Sequence, residues 1–104
     1  MGKEDNPMPT YIMLMKITDQ GRKDIKNAPQ RVEQAIKTAE AMGGKMIGVY
    51  STMGEYDYVA IGECPNDEVM MTFLLGLGSA GTVRTTTLRA FTKEQLAGMV
   101  KKLP

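Results

Sequence analysis

Arg89, Asp57 and the phenols of Tyr11, Tyr50 and Tyr56 are the side chains of this sequence best suited to chemistry. A guanidinium pairs with a carboxylate in bidentate fashion. Aromatic walls with a few polar groups are the usual lining of a small-molecule site. Together these five residues predict a site at one end of the fold for a small anionic or aromatic ligand. Arg89 falls among aromatics and methionines, where an unpaired charge would be costly to bury. It therefore either binds an anion or pairs with an acid, Asp57 or Glu63, in an assembled dimer. Glu55 and Asp57 sit beside a turn, so ligand contact competes there with ordinary turn chemistry, in which an acid accepts from nearby backbone N–H groups. A phenol of Tyr50, Tyr56 or Tyr58 with Arg89 and Asp57 could also serve a cofactor-free enzyme acting on a small substrate.

Other chemistry is poorly provided for. The chain has no histidine and one cysteine. Histidine is the usual acid–base group near neutral pH, and one cysteine with scattered carboxylates makes no recognisable metal-ligand cluster. The expectation is no metal and no cofactor. Cys64 precedes Pro65 with no imidazole to activate it, so it reads as structural. Residues Gly76 to Gly81 spell G-x-G-x-x-G, but a dinucleotide fingerprint follows a strand and opens a helix. Here the glycines end a helical pattern, where the negative end of the helix dipole repels phosphate.

Composition narrows the partners. The 104 residues suffice for one compact domain, and the net charge of +1 offers no field to draw in nucleic acid or an anionic membrane. No window approaches the apolar run of about 20 residues that a membrane span needs. The polar opening, residues 1–8, reads as a flexible leader rather than a signal peptide. A single cysteine allows no internal disulfide, which fits a cytoplasmic location. Ten methionines read mainly as adaptable core filler.

The elements that must position these residues follow from periodicity. Thr10 to Ile17 is a strand, apolar on both faces. Pro29 opens a helix whose stripe is Val32, Ala35, Ile36, Ala39 and Met42, with Gly43 as its end signal. Lys45 to Tyr50 is a second strand, and a short turn at Ser51 to Gly54 leads into a third that begins near Tyr56 and ends at Glu63. Asn66 caps a second long helix, loosened by Gly76 and Gly78. Thr82 to Phe91 is a fourth strand, rich in β-branched residues. Thr92 and Gln95 form a capping box for a last helix with Leu96, Met99, Val100 and Leu103 on one stripe. The order β-α-β-β-α-β-α predicts an α+β, ferredoxin-like fold with an added C-terminal helix, in one domain over residues 9–104.

Both faces of such a sheet are apolar. One collects Ile12, Leu14, Ile47, Val49, Val59, Ile61, Leu88 and Ala90, and is expected under the helices. The other collects Tyr11, Met13, Met15, Met46, Tyr50, Tyr56, Tyr58, Thr85, Thr87, Arg89 and Phe91. No element of so short a chain is left to cover it. A patch that large is avoided by soluble monomers, which predicts a homodimer or a higher homo-oligomer packed sheet on sheet.

Three segments, Met8 to Lys16, Thr52 to Asp57 with its Gly54-Glu55-Tyr56-Asp57 core, and Val83 to Phe91, together resemble the GYD domain family. The resemblance spans about Met8 to Leu103 and implies a dimeric α/β barrel. It implies little chemistry. Gly54 to Tyr58 and Gly81 to Thr87 are also similar, more distantly, to the effector-binding domain of Lrp/AsnC regulators. That likeness implies the same βαββαβ order and the binding of amino acids or other small effectors, here without a DNA-binding helix-turn-helix. The expected function is a small-molecule-binding or regulatory module. A cofactor-free monooxygenase, isomerase or lyase and a structural oligomer without ligand are the alternatives.

Overall fold

Residues that alternate on a pleated strand and are apolar on both sides need cover on both sides, and that places the first strand at the centre of the sheet. In the computed structural model, which describes residues 8–104, β1 (Thr10–Ile17) lies between β3 (Tyr58–Glu63) and β4 (Val83–Ala90), with β2 (Lys45–Ser51) beyond β3. The order is β2-β3-β1-β4 and every pairing is antiparallel. Two long helices, α2 (Ala28–Ala41) and α3 (Asp67–Ala80), pack on one face, and α4 (Lys93–Val100) follows the last strand. This is the ferredoxin-like arrangement with a C-terminal helix. Of the expected leader only Met8 falls within the described residues. Among those residues no helix is long and apolar enough to cross a membrane.

The helix ends are fixed by local chemistry. Pro29 stands in the first turn of α2, where its missing N–H costs nothing. That helix stops in a Schellman motif: Gly43 N–H donates to Glu40 O at 3.0 Å and Gly44 N–H to Ala39 O at 2.9 Å, with Gly43 at φ +90°. The Asn66 side chain accepts from Val69 N–H at 2.9 Å at the start of α3, and Gly81 at φ +80° ends it. The expected capping box on α4 is complete, with Thr92 N–H on Gln95 Oε1 at 2.8 Å and Gln95 N–H on Thr92 Oγ1 at 3.1 Å.

One element has no counterpart in the periodicity. The polar stretch after β1 forms a short helix, α1 (Asp19–Lys23), and a single 3-10 turn at Ile25–Asn27. Five residues are too few to show a repeat. Thr18 organises them: its Oγ1 accepts from Gly21 N–H at 3.1 Å and donates to Gly81 O at 2.6 Å, and its own N–H reaches Thr82 O at 3.0 Å. These bonds clamp α1 to the turn between α3 and β4.

The structure reverses the expected assignment of the two sheet faces in β1, β3 and β4, while Val49 and Tyr50 of β2 keep the faces expected of them. Tyr11, Met13 and Ala60 point under the helices and are 3 %, 2 % and 1 % exposed, joined there by Cys64, Met70 and Phe73. Met15, Met46 and Val49 pack against that core. Ile12, Leu14, Val59, Ile61 and Leu88 lie on the open side, in register across β1, β3 and β4. Long unbranched thioethers fill the uneven space beneath two separated helices better than branched aliphatics do. A register shift between Met46 and Gly48 also rephases β2. It places Val49 opposite Ala60 on the helix side and Tyr50 opposite Val59 on the open side. Tyr50 is 60 % exposed, and Ile47 at the bulge is 53 % exposed.

Beyond β4 the chain leaves the body. The described residues extend 52 × 29 × 19 Å with a radius of gyration of 15.4 Å, against about 13 Å for a compact chain of this length. Among the described residues no substantial packing ties α4 to any other element.

Candidate functional site

Small side chains leave a space between the helices and the sheet. Ala35 on α2, Ala60 on β3 and Gly76 on α3 withhold the bulk that would close it, and the two helices touch each other only sparsely. The result is a half-open cleft of about 460 Å³. Met13, Met15, Met46, Val49 and Tyr58 form its floor, and Val32, Ile36, Phe73 and Leu77 its walls.

Three of the polar groups at its edge are already occupied. Arg31 Nη1 lies 3.0 Å from Asp24 Oδ2 and donates to Asp24 O at 2.9 Å, while Nη2 reaches Gly21 O at 3.3 Å. The hydroxyls of Thr38 and Thr72 donate to carbonyls of their own helices, Gln34 O at 3.0 Å and Glu68 O at 2.9 Å. The lining contains no carboxylate, and its one charge is neutralised at the rim. Such a space offers an apolar guest roughly 25 cal/mol for each Å² of apolar surface it withdraws from water. Among the described residues, the acid–base group that the lining presents to such a guest is the Tyr58 phenol. Among the described residues no group of three or more His, Cys, Asp or Glu side chains is placed to hold a metal ion.

The five candidate residues named from the sequence do not converge. Tyr11 and Arg89 are cross-strand partners at the β1 N-terminal end. The buried Tyr11 hydroxyl donates to the carboxylate of Asp67, and Arg89 Nε lies 3.9 Å from the same carboxylate. The Arg89 guanidinium stands 4.5 Å from the Phe91 ring centroid and 5.7 Å from that of Tyr11, and Nη1 donates to Ala90 O at 2.7 Å. Burial, followed by the Asp67 hydrogen bond and charge, pushes the Tyr11 phenol up to about 12. Within the chain the acid beside Arg89 is thus Asp67, where the sequence suggested Asp57 or Glu63. Asp67 was legible only as a helix-start acid; the missing signal was the register that sets Tyr11 opposite Arg89 at the head of α3.

Tyr56 and Asp57 sit at the other end of β1, roughly 20 Å away at ~3.3 Å per residue. Asp57 acts there as a turn anchor. Its Oδ2 accepts from Ile17 N–H at 2.7 Å, its N–H donates to Met15 O at 2.8 Å, and its carbonyl accepts from Thr52 N–H at 2.9 Å. The Tyr56 ring lies under Lys16, whose ammonium is 5.5 Å from the ring centroid and 3.6 Å from Glu55. Tyr50 is on the open face, in neither group. Tyr58, weighed above only as an alternative phenol, is the tyrosine that lines the cleft.

Comparison with known proteins follows the fold closely. The GYD domain model matches residues 11–100. A protein of Thermus thermophilus described as a glutamine synthetase and cystathionine beta-lyase binding protein is 30% identical over 95 residues, which cover 90% of this chain and 100% of that protein. Among solved structures, a feast or famine regulatory protein from M. tuberculosis complexed with L-methionine superposes with a TM-score of 0.63 at 17% identity. A crystal structure of a glutamate-to-alanine mutant superposes with the same TM-score and identity. Each alignment covers 88% of this chain and 56% of the neighbour, so this chain spans little more than half the length of those structural neighbours. At that identity the likeness is one of fold.

Proposed function

The chain belongs to the GYD domain family, and we propose that it is a homodimeric regulatory module that binds a small, neutral, largely apolar molecule between its helices and its sheet. The observation that carries this reading is the cleft of about 460 Å³, within the ~300–1,000 Å³ of small-molecule sites. A carboxylate ligand steered by Arg89, the ligand favoured by the sequence, is poorly supported, because Asp67 and the Phe91 ring already engage that guanidinium. The neutral ligand fits a lining without a free charge, and Tyr58 supplies a phenol for one hydrogen bond. A relative named for binding two enzymes and a structural neighbour crystallised with an amino acid support a module whose liganded state is read by another protein. Cofactor-free catalysis is less well supported: the chain has no histidine, and the Tyr11 phenol, raised to about 12, keeps its proton near neutral pH.

The open face supports the homodimer. Ile12, Leu14, Val59, Ile61 and Leu88 share it, and stacking two such faces would remove a patch that soluble monomers avoid.

The test is a thermal-shift screen of neutral apolar compounds, with amino acids, keto acids and aromatic acids as the contrasting set. Compounds of the first set are expected to stabilise the protein, and Gly76→Leu to abolish that shift. A Cβ at Gly76 meets nothing within 4 Å and Gly76 lines the cleft, so a larger side chain there has room at its root and narrows the cleft. Stabilisation by acids alone, or an unchanged shift in Gly76→Leu, would overturn the assignment of the cleft. Val59→Arg is expected to convert the dimer to monomer in sedimentation; a wild-type protein that is monomeric at micromolar concentration refutes the dimer.

A further inference from the structure

Helix α4 is well terminated but poorly housed. Its capping box is complete, yet a helix of eight residues is marginal in water unless an apolar face is packed. Among the described residues its stripe finds no such packing: Leu96, Val100 and Leu103 are 57 %, 54 % and 69 % exposed.

We infer that α4 is an exchange arm, docking its apolar stripe on a second copy of this chain. The inference rests on the homodimer proposed above and says how that dimer is completed. Area is the first argument. Six paired residues at ~3.3 Å and four strands at ~4.8 Å give the open face a flat footprint of roughly 400 Å², a small base for an interface of ~800 Å² of accessible surface per partner. The stripe of α4 supplies apolar surface toward the remainder. Continuity is the second. The arm follows directly after β4, whose Leu88 is on the open face and 47 % exposed, so it is joined to a strand that carries that face. Thickness is the third. Stacked sheets lie ~10 Å apart and a helix with its side chains is ~10 Å across. An arm at the end of one sheet is therefore thick enough to span the distance to the partner's layer. Two-fold symmetry closes the arrangement, each arm covering the other copy.

The test compares wild type, Leu96→Asp/Val100→Asp and Val59→Arg by sedimentation across a concentration series. A mixed sample adds a second readout: a nitroxide at Lys101→Cys in a Cys64→Ala background on one unlabelled copy, with ¹⁵N in the other. The arm variant is expected to raise the dimer dissociation constant at least 100-fold, with the circular dichroism of the body intact. The nitroxide is expected to broaden amides of the ¹⁵N-labelled copy. If Val59→Arg breaks the dimer while the arm variant dimerises as tightly as wild type, the arm inference falls and the sheet-face dimer stands. If the broadening is confined to the spin-labelled copy, as seen when that copy carries both labels, the arm folds back on its own body and the inference is overturned. A monomeric wild type removes both readings.

Discussion

Replacing Gly76 by alanine is expected to make the protein more stable. Gly76 lies inside α3, its φ is not among the positive ones, and a Cβ built on it meets no heavy atom within 4 Å. Alanine in a helix interior is favoured over glycine by about 1 kcal/mol, mainly because the unfolded chain has less freedom to lose. Nothing in the surroundings offsets that gain. For a chain of about this length, 1 kcal/mol moves the melting temperature by roughly 4–8 °C. Differential scanning calorimetry at one fixed protein concentration, with urea denaturation at 25 °C, reads both quantities, and an unchanged urea slope would confirm that the folded state is unaltered. Gly21→Ala is the internal control. A Cβ there would overlap the Thr82 carbonyl oxygen and lie 2.7 Å from Ile17 Cγ2, so α1 must shift, at a cost of about 1–3 kcal/mol. A melting temperature that falls in Gly76→Ala would show that something occupies the space beside Gly76, and the reasoning from an open cleft would fail.

Asp57→Ala should lower stability by about 1.5–3 kcal/mol in urea titrations, the usual worth of hydrogen bonds to a charged acceptor, because Ile17 N–H loses the carboxylate it donates to at 2.7 Å. Tyr11 sets an alkaline limit. Its folded pKa is raised from 10.0 to about 12, so the fold favours the neutral phenol; that contribution is complete below pH 10 and is lost as pH climbs toward 12. Melting curves across that window should fall less steeply for Tyr11→Phe than for wild type, and parallel curves would remove Tyr11 as the cause. Thr92→Ala should cost about 1 kcal/mol of local helix stability, read as faster amide exchange over Leu96 to Val100 with no change in β1.

Much of this fold is visible in the sequence because its signals are local. The Thr92–Gln95 box, the Asn66 cap and Gly43 just past the end of α2 each act within one helical turn, and each holds in the structure. The face that meets the helices was not visible. Alternation separates residues into two sets but does not say which set points inward, and here both are apolar. Only the register and the side of the sheet taken by α2 and α3 decide it. The β2 bulge at Ile47 depends on partners in β3 that the spacing within β2 cannot reveal. The candidate site was dispersed for the same reason. Tyr11 and Asp57 are each near a strand end, but near opposite ends, and Tyr50 sits beyond the bulge. The cleft had no signature in the residues at all, since it is made by what Ala35, Ala60 and Gly76 lack.

The thioethers beneath the helices have a consequence for discrimination. Met13, Met15 and Met46 form much of the cleft floor, and an unbranched side chain with three rotatable bonds re-forms around whatever is placed against it. A rigid wall of valine and isoleucine would select by outline; under the proposed binding role this one would select by bulk. A homologous series of guests should therefore rise smoothly in affinity with size until the space is full, and isomers of equal volume should bind almost alike. Selectivity in such a protein would come from what each guest does to the spacing of α2 and α3, which touch each other sparsely enough to move apart.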